Sequence, residues 1–216
     1  MNTNQVPDRL TGNIAFALAA VMASLPLFFA LFLAFGDPFG SITDISVGVV
    51  ALLSGLLASR LYASHRTDSS ALALVALVFA WAGAVIAWVG SYLVISGTTG
   101  YFLASLVTTF GYALIGLWLL ILTLSGNAAV VSTPTARRLP LLASLLLAIG
   151  FLVLPGIISQ MDDPDTASLL VNLVPAITWL GLLVYAIWAF IFGRRVRAAH
   201  QSSSPGLDRT ARPEMN

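Results

Sequence analysis

The side chains that could act on a ligand are few and of one kind. Ser91, Tyr92, Thr108, Thr109, Asn172 and Thr178 stand inside long apolar runs. Hydroxyl and amide groups both donate and accept hydrogen bonds, so they suit a polar or neutral solute. They do not suit nucleophilic attack, which needs an adjacent base. Pro155-Gly156 and Pro175 fall at a similar depth. A proline leaves a helix carbonyl without its donor, and such backbone is tolerated in a membrane only where protein or a water-filled cavity satisfies it. These residues together predict an outward-open polar pocket rimmed by aspartates. The competing expectation is ordinary hydrogen bonding between helices.

Other chemistries are excluded by what the chain lacks. It has no cysteine, which removes disulfides, thiol nucleophiles and thiolate metal sites. His65 and His200 both lie in polar segments, so no imidazole is available inside an apolar run. All ten basic residues are arginine, so no lysine can form a Schiff base. Neither GxGxxG nor GxxxxGK[ST] occurs, and with them go the common phosphate cradles. Asp162-Asp163-Pro164-Asp165 could attract Ca²⁺, but it lacks the glycine and distal glutamate of an EF-hand loop. No charged residue falls deep in any apolar run, where proton relays and ion pathways carry theirs. No cofactor, resident metal or catalytic activity is therefore expected. A net charge of +1 argues against nucleic acid as a partner.

The elements that must position these groups follow from composition. Hydrophobic residues make up 58% of the chain and charged residues 9%, against roughly 25% charged in a soluble domain. Mean hydropathy is +0.94. Charge-free stretches run from Leu10 to Gly36, Ile45 to Ser59, Ser69 to Ala136, Leu139 to Met161 and Thr166 to Gly193. A crossing helix needs about 20 apolar residues. The longest stretch is divided at Ser96-Gly97-Thr98-Thr99-Gly100, a turn signal. The second is completed if Arg60 snorkels to the interface. The expected fold is all-α: a polytopic membrane protein with a bundle of six transmembrane helices, near 11–35, 44–64, 70–96, 100–124, 138–159 and 167–193. Residues 1–10 then form a short cytoplasmic N-terminus, 11–193 the transmembrane domain, and 194–216 a disordered basic tail. The first apolar stretch is longer than the core of a cleaved signal peptide and is read as a span. Asp44, Ser69 or Ser70, and Thr166 are expected to cap the second, third and sixth helices. Pro140 should sit in the first turn of the fifth.

Arginine placement orients the bundle. Arg60, Arg66, Arg137, Arg138, Arg194, Arg195 and Arg197 fall on one side of a six-span topology, with Arg9, Arg209 and Arg212. The opposite loops carry Asp37, Asp44, Asp162, Asp163 and Asp165. The positive-inside rule places both termini in the cytoplasm and the chain in the cell membrane. The arginine-only, alanine- and leucine-rich composition points to a GC-rich bacterial genome.

Rows of small residues, Ala15/Ala19/Ala23, Ala51/Gly55/Ser59 and Gly83/Ala87/Ser91, allow close helix approach, either within the chain or between two copies. Turn signals recur roughly every 61 residues, which tandem hairpins or simple span length both explain. Tyr62, Tyr101 and Trp188 are expected at the membrane interfaces. Trp81, Trp88 and Trp179 could pack against neighbours or line an apolar ligand site. The expected partners are membrane lipid and other integral membrane proteins, or a second copy. The expected function is a non-catalytic membrane component or accessory subunit. The alternative is a small transporter or channel for a neutral or apolar solute.

Overall fold

A run of leucine and alanine without charges can satisfy its backbone in an apolar setting only by bonding to itself, and each such run here is a helix. The computed structural model describes residues 8–64, 70–125 and 134–202. Its helices are α1 (Arg9–Phe35), α2 (Phe39–Ser64), α3 (Ser70–Ser96), α4 (Tyr101–Leu124), α5 (Pro134–Ala148), α6 (Leu154–Ile158) and α7 (Leu169–Ser202). Five residues of 3₁₀ helix, Ile149–Val153, join α5 to α6, so these two make one crossing. Six helices are long and apolar enough to cross a membrane, and no strand occurs among the described residues.

Each crossing packs beside its neighbour in the chain, and α7 returns against α1 to close a ring. The ring is knitted at both ends. At one end Arg197 Nη2 donates to Asn13 Oδ1 at 2.7 Å, with its guanidinium 4.2 Å from the centre of the Phe16 ring. Arg60 lies 3.7 Å from Asp8 at the same end. At the other, the Asp162 carboxylate accepts from the backbone N–H groups of Gly100 at 2.7 Å and Leu103 at 3.3 Å. Asp162 thus supplies the N-terminal cap of α4 from a distant loop. A helix start is a natural seat for a carboxylate. Arg66 lies outside the described residues, as do Ser69 and the segment beyond Ser202.

The small-residue rows are used inside the bundle. Ala15, Ala19, Ala51, Gly55, Gly83 and Ala87 are buried. A Cβ placed on Gly111 of α4 would meet the backbone nitrogen of Ala87 on α3, so these two helices touch backbone to backbone. Ala23 alone of α1's row is exposed. Two tyrosines fill the middle of the ring. Tyr112 of α4 donates from its hydroxyl to the Val47 carbonyl of α2 at 2.6 Å. Tyr185 of α7 donates to Ser54 Oγ of α2 at 3.2 Å. The outside is apolar instead: Leu33, Phe35, Ile158 and Leu169 are each more than 70% exposed.

Several expected boundaries move. The second helix starts at Phe39, not near 44, because Gly36 at φ +72° turns the chain and Pro38 then accepts the first helical bond, from Ile42. Asp44 consequently lies in the second turn and caps nothing. The fifth starts at Pro134, which puts Pro140 inside it. The last crossing is capped by Ser168, whose Oγ accepts from Val171 N at 3.4 Å, because Pro164–Thr166 forms its own 3₁₀ turn. The basic segment 194–202, expected to be disordered, continues α7. Arginine and alanine are strong helix formers, and Arg197 is held against α1. Trp188 is no interfacial anchor: it is 3% exposed and stacks between Tyr185 and Phe192.

The cap of α1 gives a pH test. Asp8 Oδ1 accepts from Thr11 N at 2.8 Å and from Thr11 Oγ1 at 2.6 Å. These bonds favour the ionised form and hold the carboxyl below its usual 3.8. The stability it adds is therefore present above that value and lost as pH falls through the lowered one. Asp8→Ala should cost about 1 kcal/mol at neutral pH, toward the low end of the capping range because the side chain is exposed. The difference from the parent, read by unfolding in detergent, should shrink in acid below pH 3.8.

Candidate functional site

The polar residues expected to meet do so in part. A cavity of about 50 Å³ opens at the aspartate end between α2, α3, α4 and α7. Ser91, Thr108, Thr109 and Thr178 line it together. Tyr92 does not: it is 60% exposed on the outer side of α3. Asn172 does not either. Its side-chain amide donates to the Pro164 carbonyl at 2.9 Å and bridges toward Ala167 at 3.5 Å, tying the 3₁₀ turn to the start of α7. Six residues, about one and two-thirds helical turns, separate Asn172 from Thr178, enough to point the two in different directions.

The α4 wall has a simple cause. Tyr101, Ser105, Thr108, Thr109 and Tyr112 all line the cavity, and their spacing of three to four residues keeps them on one helix face. That stripe is legible in the amino-acid sequence. Asp44 of α2 is expected from the sequence both to cap that helix and to stand among the aspartates at the pocket rim; it lines the cavity and caps nothing. Its place in the second turn follows from the early start of α2 and brings the carboxyl group to the cavity wall. Trp179 and Leu182 of α7, with Val47 and Val94, complete the lining. Trp81 faces α2 instead, giving its indole N–H to Ser59 Oγ at 2.9 Å, and Trp88 lies over Gly48.

Hydrogen bonding divides the wall into satisfied and unsatisfied groups. Thr108 Oγ1 donates back to Ala104 O at 3.0 Å, as helix hydroxyls do. Tyr112 is committed to Val47. Ser91 Oγ and Thr178 Oγ1 have no partner, although each residue is 3% exposed. Burying a hydroxyl unpaired costs about 1–3 kcal/mol, so such groups call for an occupant. Below the cavity the ring interior is filled: Tyr112 and Tyr185 are fully buried, with Ser54, Leu57 and Ile115 around them.

The wall offers one carboxylate, several hydroxyls and aromatic faces. Among the described residues, no three His, Asp or Glu side chains gather in a way that could hold a metal ion. Among the described residues, no cavity hydroxyl is hydrogen-bonded to a carboxylate or an imidazole. What the arrangement can do is bind, through oxygen atoms and one negative charge.

The fold and the site define a polytopic α-helical membrane protein with a small polar cavity at one end of its bundle. Searches against protein-family models, curated proteins and solved structures find no match.

Proposed function

We propose that this chain is a non-catalytic component of the cell membrane, an accessory subunit that works by packing against other integral membrane proteins and lipid. The observation that carries this reading is the filled interior. Tyr112 and Tyr185, each bonded to α2, occupy the axis along which a solute would have to pass. A conduit needs either a polar path or a mobile gate, and no charged residue lies in the middle of a span: Asp44 and Arg60 of α2 stand near its two ends. The arginine end faces the cytoplasm in this proposal, with both termini inside and the cavity opening outward. The cavity itself favours the second reading, a carrier for a small neutral solute, because it is polar, recessed and open to one side.

One experiment separates the two. The chain is crosslinked in intact membranes and, separately, purified and placed alone in vesicles. A single membrane protein recovered at fixed stoichiometry supports the accessory role. Saturable glycerol flux through the vesicles, abolished by Thr178→Leu, overturns it in favour of the carrier. Orientation is checked with single cysteines, which the absence of native ones makes clean. Asp163→Cys should react with an impermeant thiol reagent on intact cells, and Arg138→Cys only after permeabilisation. The reverse order inverts the topology.

A further inference from the structure

We propose that the outer cavity is a binding site for a small monovalent cation, a sodium-sized ion or a small primary ammonium group. The inference goes beyond the accessory role and does not depend on it.

Three observations converge. First, Asp44 lines the cavity with no counter-ion. Among the described residues Asp44 has no ion pair and accepts no hydrogen bond, and the described arginines lie at the other end of the bundle. A carboxylate at a recessed wall, without a basic partner, favours a cation that arrives from outside. Second, among the described residues the buried hydroxyls lacking a partner are Ser91, Thr99 and Thr178, and two of these line this cavity. A hydroxyl oxygen can accept from an ammonium N–H or coordinate a hard cation. They come from α3 and α7, which border the cavity together with Asp44 of α2. Third, the size fits. A cavity of about 50 Å³ admits about three to five water-sized bodies, since one water needs at least 10–15 Å³ on this measure. That is room for a partly hydrated ion or a methylammonium, and too little for a sugar or a nucleotide.

The charge state selects the valence. Among the described residues, Asp44 is the one carboxylate lining the cavity, with Asp37 near enough to act on it, whereas divalent sites gather several carboxylates around the ion. No such group forms among the described residues. The aromatic lining adds a second preference. Tyr101, Tyr112 and Trp179 surround the cavity, and aromatic faces attract cations within about 6 Å of the ring centre. The ligand thus sees a carboxylate, unpaired hydroxyls and ring faces, the set that recognises a compact single charge.

The test is thermal unfolding of the purified full-length protein in lipid nanodiscs at constant ionic strength. N-methyl-D-glucamine chloride, too large to enter, is replaced stepwise by sodium chloride or by methylammonium chloride. A saturable rise of the midpoint with either salt is the expected result. Saturation by sodium alone assigns a metal ion; saturation by methylammonium alone assigns an amine. Asp44→Asn should remove the rise while leaving the midpoint in N-methyl-D-glucamine within a few degrees of the parent. Should that variant fail to fold, Ser91→Ala and Thr178→Val give the second reading, each weakening the apparent affinity about tenfold, as expected for loss of one bond to a charged partner. The proposal is overturned if neither salt shifts the parent, or if the shift persists unchanged in Asp44→Asn or, where that variant does not fold, in both hydroxyl variants.

Discussion

Gly111→Leu should fail to assemble the bundle. A side chain there must occupy the space held by the Ala87 backbone nitrogen and the Gly83 carbonyl, so α3 and α4 would have to separate along their whole seam. Overpacking of this sort costs about 1–3 kcal/mol where side chains can yield, and more where only backbone opposes it. Apolar helices gain little from hiding from lipid, so close van der Waals contact is what holds them together. The expected loss is about 3 kcal/mol or more, read as aggregation on size-exclusion chromatography in mild detergent. Gly12→Ala is the control. Its added Cβ would sit 3.3 Å from the tip of the Val196 side chain, which can shift. A monodisperse Gly111→Leu protein with the parent's unfolding midpoint would refute the α3–α4 seam.

Tyr112→Ala is the second substitution with a large effect. The ring is fully buried and its hydroxyl reaches across the bundle to the Val47 carbonyl. Truncating a large buried aromatic costs about 3–5 kcal/mol, much of it from the void left behind. Tyr112→Phe keeps the volume and loses only the cross-bundle bond, so about 1 kcal/mol is expected. The pair separates filling from bonding. The truncation also removes the floor of the outer cavity, because Tyr112 lines it while belonging to the core below. A cysteine introduced at Ser54, which is fully buried beneath, should react slowly with a small thiol reagent in the parent. It should react at least about tenfold faster when Tyr112 is alanine. Equal rates would mean that Tyr112 does not close the cavity, and the filled-interior argument for an accessory role would lose its support.

The two largest effects concern residues on different faces of one helix. Gly111 presses α4 on α3, and Tyr112 points to the axis. Adjacent positions on a helix are about 100° apart, so a single register decides both. Rotating α4 by one residue would carry Tyr112 out of the axis and bring bulk to the seam.

The six crossings are legible in the sequence because the constraint behind them is one-dimensional. A hydrocarbon layer asks only for about 20 uncharged residues in a row, and the runs from Leu10, Ser69 and Thr166 state that requirement directly. The segregation of arginine from aspartate is equally linear. Four cavity residues, Ser91, Thr108, Thr109 and Thr178, stand out because a hydroxyl in an apolar run is conspicuous whatever its direction. Asn172, Tyr92 and Trp188 depart from their expected places for the complementary reason. Their types mark them as polar or interfacial, but depth along a helix says nothing about the angle at which each side chain leaves it.

That angle belongs to the tertiary structure. It is set where Gly83, Ala87 and Gly111 bring backbones into contact and where Tyr112 and Tyr185 bond to α2. It turns Asp44, a helix cap by its sequence signature, into a cavity wall, and turns Asn172 from the same end of the bundle into a brace for a loop. The sequence by itself determined that the chain forms six apolar helices and roughly where they lie, because solvation acts on each segment separately, while several of their ends were set by turn and cap geometry. Which groups meet was decided only by packing, because contacts between helices depend on the rotation of every helix about its own axis, and no single segment carries that information.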